Sequence, residues 1–467
     1  MHEIKLREYL LQSFIDYENN VIFHGAHVFD CGDNSLMIEG NGHILLADNA
    51  IIKLLTEKKC NEDLAFKLMQ RNFASLTNIE NEESPSCSDE FDIKPAFFMI
   101  DLTKRCNMGC RYCVREGDHH AASITNSRID DICDFIGSYC AETSTQEISV
   151  QPWGGEPLLE LDKIFRIQDK LVKKGIKPHI SIETNGLLLN DRTIEKLQER
   201  NIFVGVSIDG IELVHDKQRV LMDGSPTHKK VSENLKNLSA AFEGKVGIIA
   251  TVTQNSISYI EEIFDYFAQD LHLKRIKVNF VHKSDFVNNE GLLLSEKEIS
   301  DCTVRIIDKL VELNSSGWNI VEYNIYTKLM NLLARKKGDI CITRGCNGGR
   351  KMITFDFNGD VFPCDVTDYP EEKMGSIYDG RSLMRIISDA QELNSYFCKK
   401  ETDHCSKCPW RYFCRGGCTV HVKCSGAQPP CIDGIECAIN RALYPRLIEL
   451  ILNSPEMINK LVGSSIL

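Results

Sequence analysis

Long apolar runs are missing from this chain. None approaches the roughly 18 consecutive apolar residues of a membrane span, so no helical membrane protein and no membrane partner is expected. The start, MHEIKLREYLLQSFIDYENN, is charged throughout and lacks an apolar core. No secretion signal is therefore expected, and the protein is placed in the cytoplasm. A basic excess is missing too: 54 Lys+Arg face 67 Asp+Glu, a formal charge of −13. Nucleic-acid binding needs a basic face, so no nucleic-acid partner is expected. Cysteine is what the chain has in excess, 20 in 467 residues. A secreted disulfide scaffold is short. In a long chain without a signal, clustered cysteines point to metal binding or catalysis. The length allows about three domains at roughly 150 residues each.

Residues 21–46 read as short strands, VIFHGAHVF, SLMIEG and HILLA, with Gly and Asn turns between them. Helical patterns follow in ADNAIIKLLTEKK and NEDLAFKLMQRNFASL. TNIENEESPSCSDEFDIKP is polar and acidic and reads as a linker. From Pro95 strand and helix alternate. The strands FFMIDLT, EISVQPW, HISIET, FVGVSID, VGIIATVT and IKVNFVH are mostly uninterrupted apolar runs, as in strands buried on both faces. Six alternations predict a parallel sheet with right-handed crossovers. They are too few for an eight-fold barrel. The expected fold is α/β, an open, partial (β/α)6 TIM-like barrel with its chemistry at the carboxyl ends of the strands. Past Lys337 the rhythm breaks, and residues 341–437 hold eleven of the cysteines. Such a stretch is ordered by metal rather than by a core. NRALYPRLIELILNSPEMINKLV closes the chain as one or two helices. The expected domains are 1–93, 94–338 and 339–467.

TKRCNMGCRYCVRE, Thr103 to Glu116, follows the first core strand. It supplies Cys106, Cys110 and Cys113 and no fourth cysteine close behind. A four-iron, four-sulfur cluster on three thiolates keeps one iron open for a substrate or cofactor. Structural zinc would need four closed ligands. The spacing C-x3-C-x-aromatic-C, with Tyr112 as the aromatic, resembles the signature of the radical S-adenosylmethionine (SAM) superfamily. The resemblance implies that SAM chelates the open iron through its amino and carboxylate groups. One electron then cleaves SAM to a 5′-deoxyadenosyl radical.

Further elements sit at strand ends. Gly154 and Gly155 of WGGEP allow close backbone approach, and Glu156 can accept from a cationic amine. The stretch resembles the GGEP element that holds the SAM amino group. ETNG, Glu183 to Gly186, is a turn by composition, and the resemblance makes Thr184 and Asn185 ribose contacts. VSIDGIELVHDKQR brings Ser207, Asp209 and an HDxxR pattern typical of the peptide-modifying branch. Arg219, a planar cation, suits the SAM carboxylate.

Towards the end, Cys346 and Cys364 frame Gly359 as C-x12-G-x4-C. Cys405, Cys408, Cys414 and Cys418 follow as C-x2-C-x5-C-x3-C, and then Cys437. This resembles the SPASM domain, with two auxiliary iron–sulfur clusters. The resemblance assigns Cys405, Cys408, Cys414 and Cys437 to the distal cluster. It assigns Cys346, Cys364 and Cys418 to the proximal one, with Cys341 as fourth ligand and Cys424 and Cys431 as substitutes. A zinc-ribbon tail also fits the count of eight. Asp365 follows Cys364 directly; a carboxylate beside an anionic cluster suits a proton acceptor. GDVFPCD followed by MGSI resembles anaerobic sulfatase maturases, where this aspartate takes the substrate proton.

The small N-terminal unit resembles the winged-helix-like recognition element of enzymes that modify ribosomally made peptides (RiPPs), which binds a leader by adding a strand to its sheet edge. The expectation is a radical SAM–SPASM peptide maturase with SAM and three [4Fe–4S] clusters. It is fed by an electron donor such as ferredoxin or flavodoxin and installs a thioether from Cys to another residue of a precursor peptide, as in sactipeptides or ranthipeptides. A carbon–carbon crosslink and formylglycine formation on a sulfatase are the alternatives. An iron–sulfur electron carrier is the competing class.

Overall fold

The computed structural model describes residues 7–16, 21–31, 34–40, 42–76, 94–115, 123–243, 245–333, 341, 346–393, 405, 408–414, 416–424 and 432–463. The acidic linker lies outside them. The N-terminal unit contains seven short strands, β1 (Arg7–Leu11), β2 (Phe14–Asp16), β3 (Val21–Phe23), β4 (Ala26–Cys31), β5 (Asn34–Ile38), β6 (Ile44–Asp48) and β7 (Ala74–Leu76). Two helices, α1 (Asn49–Thr56) and α2 (Glu62–Gln70), join β6 to β7. The strands form two antiparallel sheets, in the orders β1-β4-β5-β6 and β2-β3-β7. This is more sheet than the three strands read from sequence: β2, β3 and β7 have three residues each, too few to show a period, and β1 lies in the charged start. Side chains alternate along β5. Met37 enters the unit's own core, while Leu36 and Ile38 join the main core of the molecule. Phe29 of β4 stacks on Trp410 at 5.0 Å, and Trp410 on Tyr444 at 4.9 Å. The unit is therefore packed onto the C-terminal region.

The six core runs form strands where they were expected: β8 (Phe97–Thr103), β9 (Glu147–Gly154), β10 (Lys177–Thr184), β11 (Phe203–Ser207), β12 (Gly247–Val252) and β13 (Arg275–Phe280). They lie side by side in chain order, each parallel to the next. The sheet continues beyond six. A short parallel β14 (Val321–Glu322) follows β13, and β15 (Met352–Phe355) pairs in parallel with β8 from the other side. Antiparallel β16 (Asp360–Phe362) and β17 (Gly375–Ser376) complete a ten-stranded sheet. Part of the cysteine-rich region is thus hydrogen-bonded into the core sheet. Burial corrects one detail. Only β8 is buried nearly throughout; β9 to β13 alternate buried with half-buried or exposed residues. Their inner faces, carrying Gln151, Ser181, Ser207, Thr251 and Lys277, line a cavity of about 1670 Å³.

Helices cover the outer face. They include α3 (Asn126–Glu142), α4 (Leu161–Lys173), α5 (Asp191–Glu199), α6 (Glu212–Gln218), α7 (His228–Ala241), α8 (Ile260–Asp265) and α9 (Glu296–Ser315). Their starts are signed by side chains: Thr125 accepts from Arg128 N, Asn190 from Thr193 N, and Ser295 forms a capping box with Glu298. Such caps stabilise by about 1 kcal/mol each. Two helices, Gly434–Asn453 and Pro455–Val462, close the chain as read from sequence. No helix among the described residues is long and apolar enough to cross a membrane.

Candidate active site

The loop from Lys104 to Arg115 leaves the carboxyl end of β8 with little regular structure. Hydrogen bonds to neighbouring segments shape it. Gly109 N donates to Val220 O (2.8 Å) and Arg111 N to Gln218 O (2.9 Å), while Cys113 O accepts from Ser284 Oγ (2.6 Å). Cys106, Cys110 and Cys113 are half-buried and line the large cavity, and Cys110 lies close enough to the other two to feel their charge. Burial pushes the Cys106 thiol up to about 11 and the Cys110 thiol up to about 12. Three neighbouring thiols in such a place become thiolates together only against strong cationic charge. The donor set fits an iron–sulfur cluster in that respect. Among the described residues, no three His, Cys, Asp or Glu converge as they would around a single ion.

The strand-end elements divide in two. Tyr112, Gly155, Asn185, Ser207 and Arg219 line the cavity; Gly154, Glu156, Thr184 and Asp209 stand behind its wall. What the glycines approach is the cysteine loop. A Cβ on Gly155 would sit 2.3 Å from Arg105 O, and one on Gly154, at φ +146°, 2.2 Å from Thr103 O. Glu156 is buried and committed to the protein, accepting from Thr184 Oγ1 (2.7 Å), Asn185 N (2.8 Å) and Leu158 N (3.0 Å). It clamps the end of β10 to the end of β9. Asn185 Nδ2 in turn donates to Asn107 Oδ1 (2.7 Å) inside the cysteine loop.

Asp209 is a hub. It accepts from Tyr112 Oη (2.7 Å), Gln218 Nε2 (2.7 Å) and Thr251 N (2.9 Å), and pairs with Arg219 Nε at 2.9 Å. Burial works against its charge, yet Arg219 and these donors hold its carboxyl below the usual range. The HDxxR pattern supports the same corner. His215 Nδ1 accepts from Asp209 N, and Asp216 Oδ1 accepts from Thr227 N and His228 N at the start of α7.

Two further cysteine sets lie in the C-terminal region. Cys341, Cys346, Cys364 and Cys418 are mutual neighbours, and burial drives the Cys364 and Cys418 thiols well up. Cys405, Cys408 and Cys437 form a second group, with Cys414 beside Glu436. Cys431 and the side chain of Cys424 lie outside the described residues. Cys341 is exposed and lines the same cavity as the first three thiols, as does Asp365. Cys60, Cys133, Cys140 and Cys302 are buried packing residues.

Several residues escaped sequence reasoning. His282, just past β13, and His421 lie with ring centroids 4.6 Å apart and planes tilted by 38° on the cavity wall near Asp365. Asp433 Oδ2 accepts from His421 Nδ1 (2.9 Å) and Cys418 N (3.0 Å). Lys104 and Arg115, inside the quoted cysteine stretch, pair with Asp368. Position at a strand end was a usable signal for His282. For the others the partners are too distant in sequence to read.

A mostly parallel sheet whose strand β8 feeds three thiols into a large cavity, followed by a tail with two more thiol groups, has the donor chemistry of an iron–sulfur protein. Family models agree. Residues 100–267 match the radical SAM superfamily and residues 346–409 the iron–sulfur cluster-binding SPASM domain. The chain carries a radical SAM domain followed by a SPASM domain, and these domains imply SAM and [4Fe–4S] clusters, auxiliary ones included. A cysteine-type anaerobic sulfatase-maturating enzyme of Clostridium perfringens is 26 % identical over 341 residues, covering 70 % of this chain and 87 % of the relative. A serine-type enzyme of Bacteroides thetaiotaomicron is 25 % identical over 349 residues, 70 % and 83 % of the two chains. Among solved structures, native anSMEcpe with bound AdoMet superposes with a TM-score of 0.66 at 21 % identity, over 77 % of this chain and 100 % of the other. Streptococcus suis SuiB bound to precursor peptide SuiA gives 0.54 at 15 %, over 91 % and 99 %.

Proposed function

We propose that the protein matures a ribosomally made precursor peptide, forming a thioether from a peptide cysteine to a carbon of another residue. One observation carries this reading. The exposed Cys341 of the proximal set faces the same cavity as Cys106, Cys110 and Cys113, so a peptide thiol entering there meets both centres. The fold comparisons favour a peptide substrate. The SuiB fold, solved with a precursor peptide, accounts for more of this chain than the sulfatase-maturase fold, by an amount comparable to the N-terminal unit. That unit is the proposed winged-helix-like recognition element, with open sheet edges at β1 and β6 for the leader.

When bound, SAM and the clusters supply the one-electron chemistry, including the 5′-deoxyadenosyl radical. Cys106, Cys110 and Cys113 hold the first cluster; the two C-terminal sets hold the proximal and distal ones. Arg219, Ser207, Asn185 and Gly155 stand where they can receive SAM, and Asp209 and Glu156 keep them in place. Asp365 takes the proton that the substrate loses. Formylglycine formation on a sulfatase is the second reading, favoured by the curated relatives.

The test is mass spectrometry of the precursor after anaerobic incubation with enzyme, SAM and dithionite. A thioether removes two hydrogens and leaves the cysteine unreactive to iodoacetamide. Loss of two hydrogens with the cysteine still alkylated assigns a carbon–carbon crosslink. An aldehyde replacing Cys or Ser in a sulfatase peptide assigns the second reading.

A further inference from the structure

Lys104 and Arg115 each stand two residues outside the cysteine triad, one before Cys106 and one after Cys113. Both reach the same carboxylate from the other end of the chain. Asp368 Oδ1 lies 3.2 Å from Lys104 Nζ, and its Oδ2 lies 3.2 Å from Arg115 Nε. The Asp368 side chain is 3 % exposed and that of Arg115 8 %, so water does little to screen them. Arg115 is held on its other sides as well. It pairs with the buried Asp101 at the end of β8, donates to Thr367 Oγ1 (2.9 Å), and stacks over Trp153 at 4.5 Å. Thr367 Oγ1 also donates to Asp101 Oδ2 (3.1 Å). Two cations and two carboxylates thus alternate along a largely buried chain, Lys104–Asp368–Arg115–Asp101. It joins both ends of the cysteine loop to the segment that begins with Cys364 and Asp365.

We propose that Asp368 is a positioning residue of the SAM-cleaving site, tying both ends of the cysteine loop to the proximal-cluster segment. The proposal rests on the reading of Cys106, Cys110 and Cys113 as that site. The loop has little regular structure of its own, so its geometry depends on what grips it. Removing the Asp368 carboxylate takes this counter-charge from Lys104 and leaves Arg115 with Asp101. The bridge between the two ends of the loop is then lost, and the thiols between them would shift. Bonds that orient ligands from behind are typically worth 10–100-fold in metal affinity or activity.

The test uses full-length, anaerobically reconstituted protein without peptide. Asp368→Asn is expected to keep the iron of the auxiliary sites while SAM binding weakens by about tenfold. The weakening is read as a shifted SAM titration of the reduced cluster's EPR signal, and 5′-deoxyadenosine formation falls in parallel. Asp368→Glu should restore the EPR response. A wild-type titration and signal in Asp368→Asn overturns the proposal. If Asp368→Asn fails to load iron, Lys104→Gln decides: about a threefold shift supports the role, and none overturns it. Wild-type protein that makes no 5′-deoxyadenosine overturns the underlying SAM reading as well. A competent wild type matched by its variants removes only the role of Asp368.

Discussion

At the scale of single residues, Glu156 and His215 show how much of the site is support. Three donors of the protein, Thr184 Oγ1, Asn185 N and Leu158 N, meet the Glu156 carboxylate. Glu156→Gln puts an amide among N–H and O–H donors and leaves one unpaired, at a cost of about 1–3 kcal/mol. A lower thermal midpoint and weaker SAM binding are expected together. Unchanged melting with weaker SAM binding would instead show that the carboxylate reaches the ligand. His215 is buried with Nδ1 accepting from Asp209 N (3.3 Å) and Nε2 facing Thr227 Oγ1 (3.0 Å), so the ring is neutral. Burial pushes its pKa down to about 4 from 6.5, with Asp209 opposing and Arg219 assisting. A folded value below the unfolded one means that this contribution is whole above pH 6.5 and drains away as the pH falls towards 4. At pH 5.5 the loss is about 1.4 kcal/mol. Urea denaturation at pH 7.5 and 5.5 should show a steeper loss for wild type than for His215→Gln; equal slopes would reject the assignment.

At the scale of elements, the meeting of β8 and β9 decides where the cysteine loop lies. Gly155→Ala sets a Cβ within 2.3–2.7 Å of three backbone atoms of Lys104 and Arg105, which have no flexible side chain to move aside. The loop must shift. Iron content should drop by about a third, one cluster of three, and the SAM-dependent EPR signal should vanish while the auxiliary signals persist. Full iron with a normal SAM response would mean that the loop tolerates the displacement. The same elements explain what was legible in the sequence. β8 to β13 were readable because each is a five- to eight-residue stretch whose β-branched and apolar residues supply a buried outer face. β14 and β17, two residues each, exist only because a longer neighbour offers hydrogen bonds. β15 is strand because Met352–Phe355 lies alongside Phe97–Ile100, some 250 residues earlier. No local pattern announces such a partner. Cysteine spacing drew attention to Cys106, Cys110 and Cys113 and to the C-terminal thiols, whereas the network of Asp101, Arg115 and Asp368 is made by the fold alone.

At the scale of the whole molecule, one cavity reaches from Cys106, Cys110 and Cys113 to Asp365 and Cys341. On the proposed reading, hydrogen abstraction belongs to the barrel loop and proton removal to the carboxylate of the segment after β16, within one space. Asp365 is exposed to the cavity, and no contact of its side chain with Tyr112, Asn185 or Arg219 helps build the SAM corner among the described residues. Asp365→Asn keeps the shape and removes the base. It should leave SAM cleavage within about twofold of wild type while modified peptide falls at least ~100-fold, the usual contribution of a general base. Quantifying 5′-deoxyadenosine and modified precursor in the same anaerobic reaction separates the two. Parallel loss of both would place Asp365 in the SAM site itself. Full product from Asp365→Asn would move proton acceptance to another group on the cavity wall, with His282 the first to replace, since it faces the same space from the barrel side.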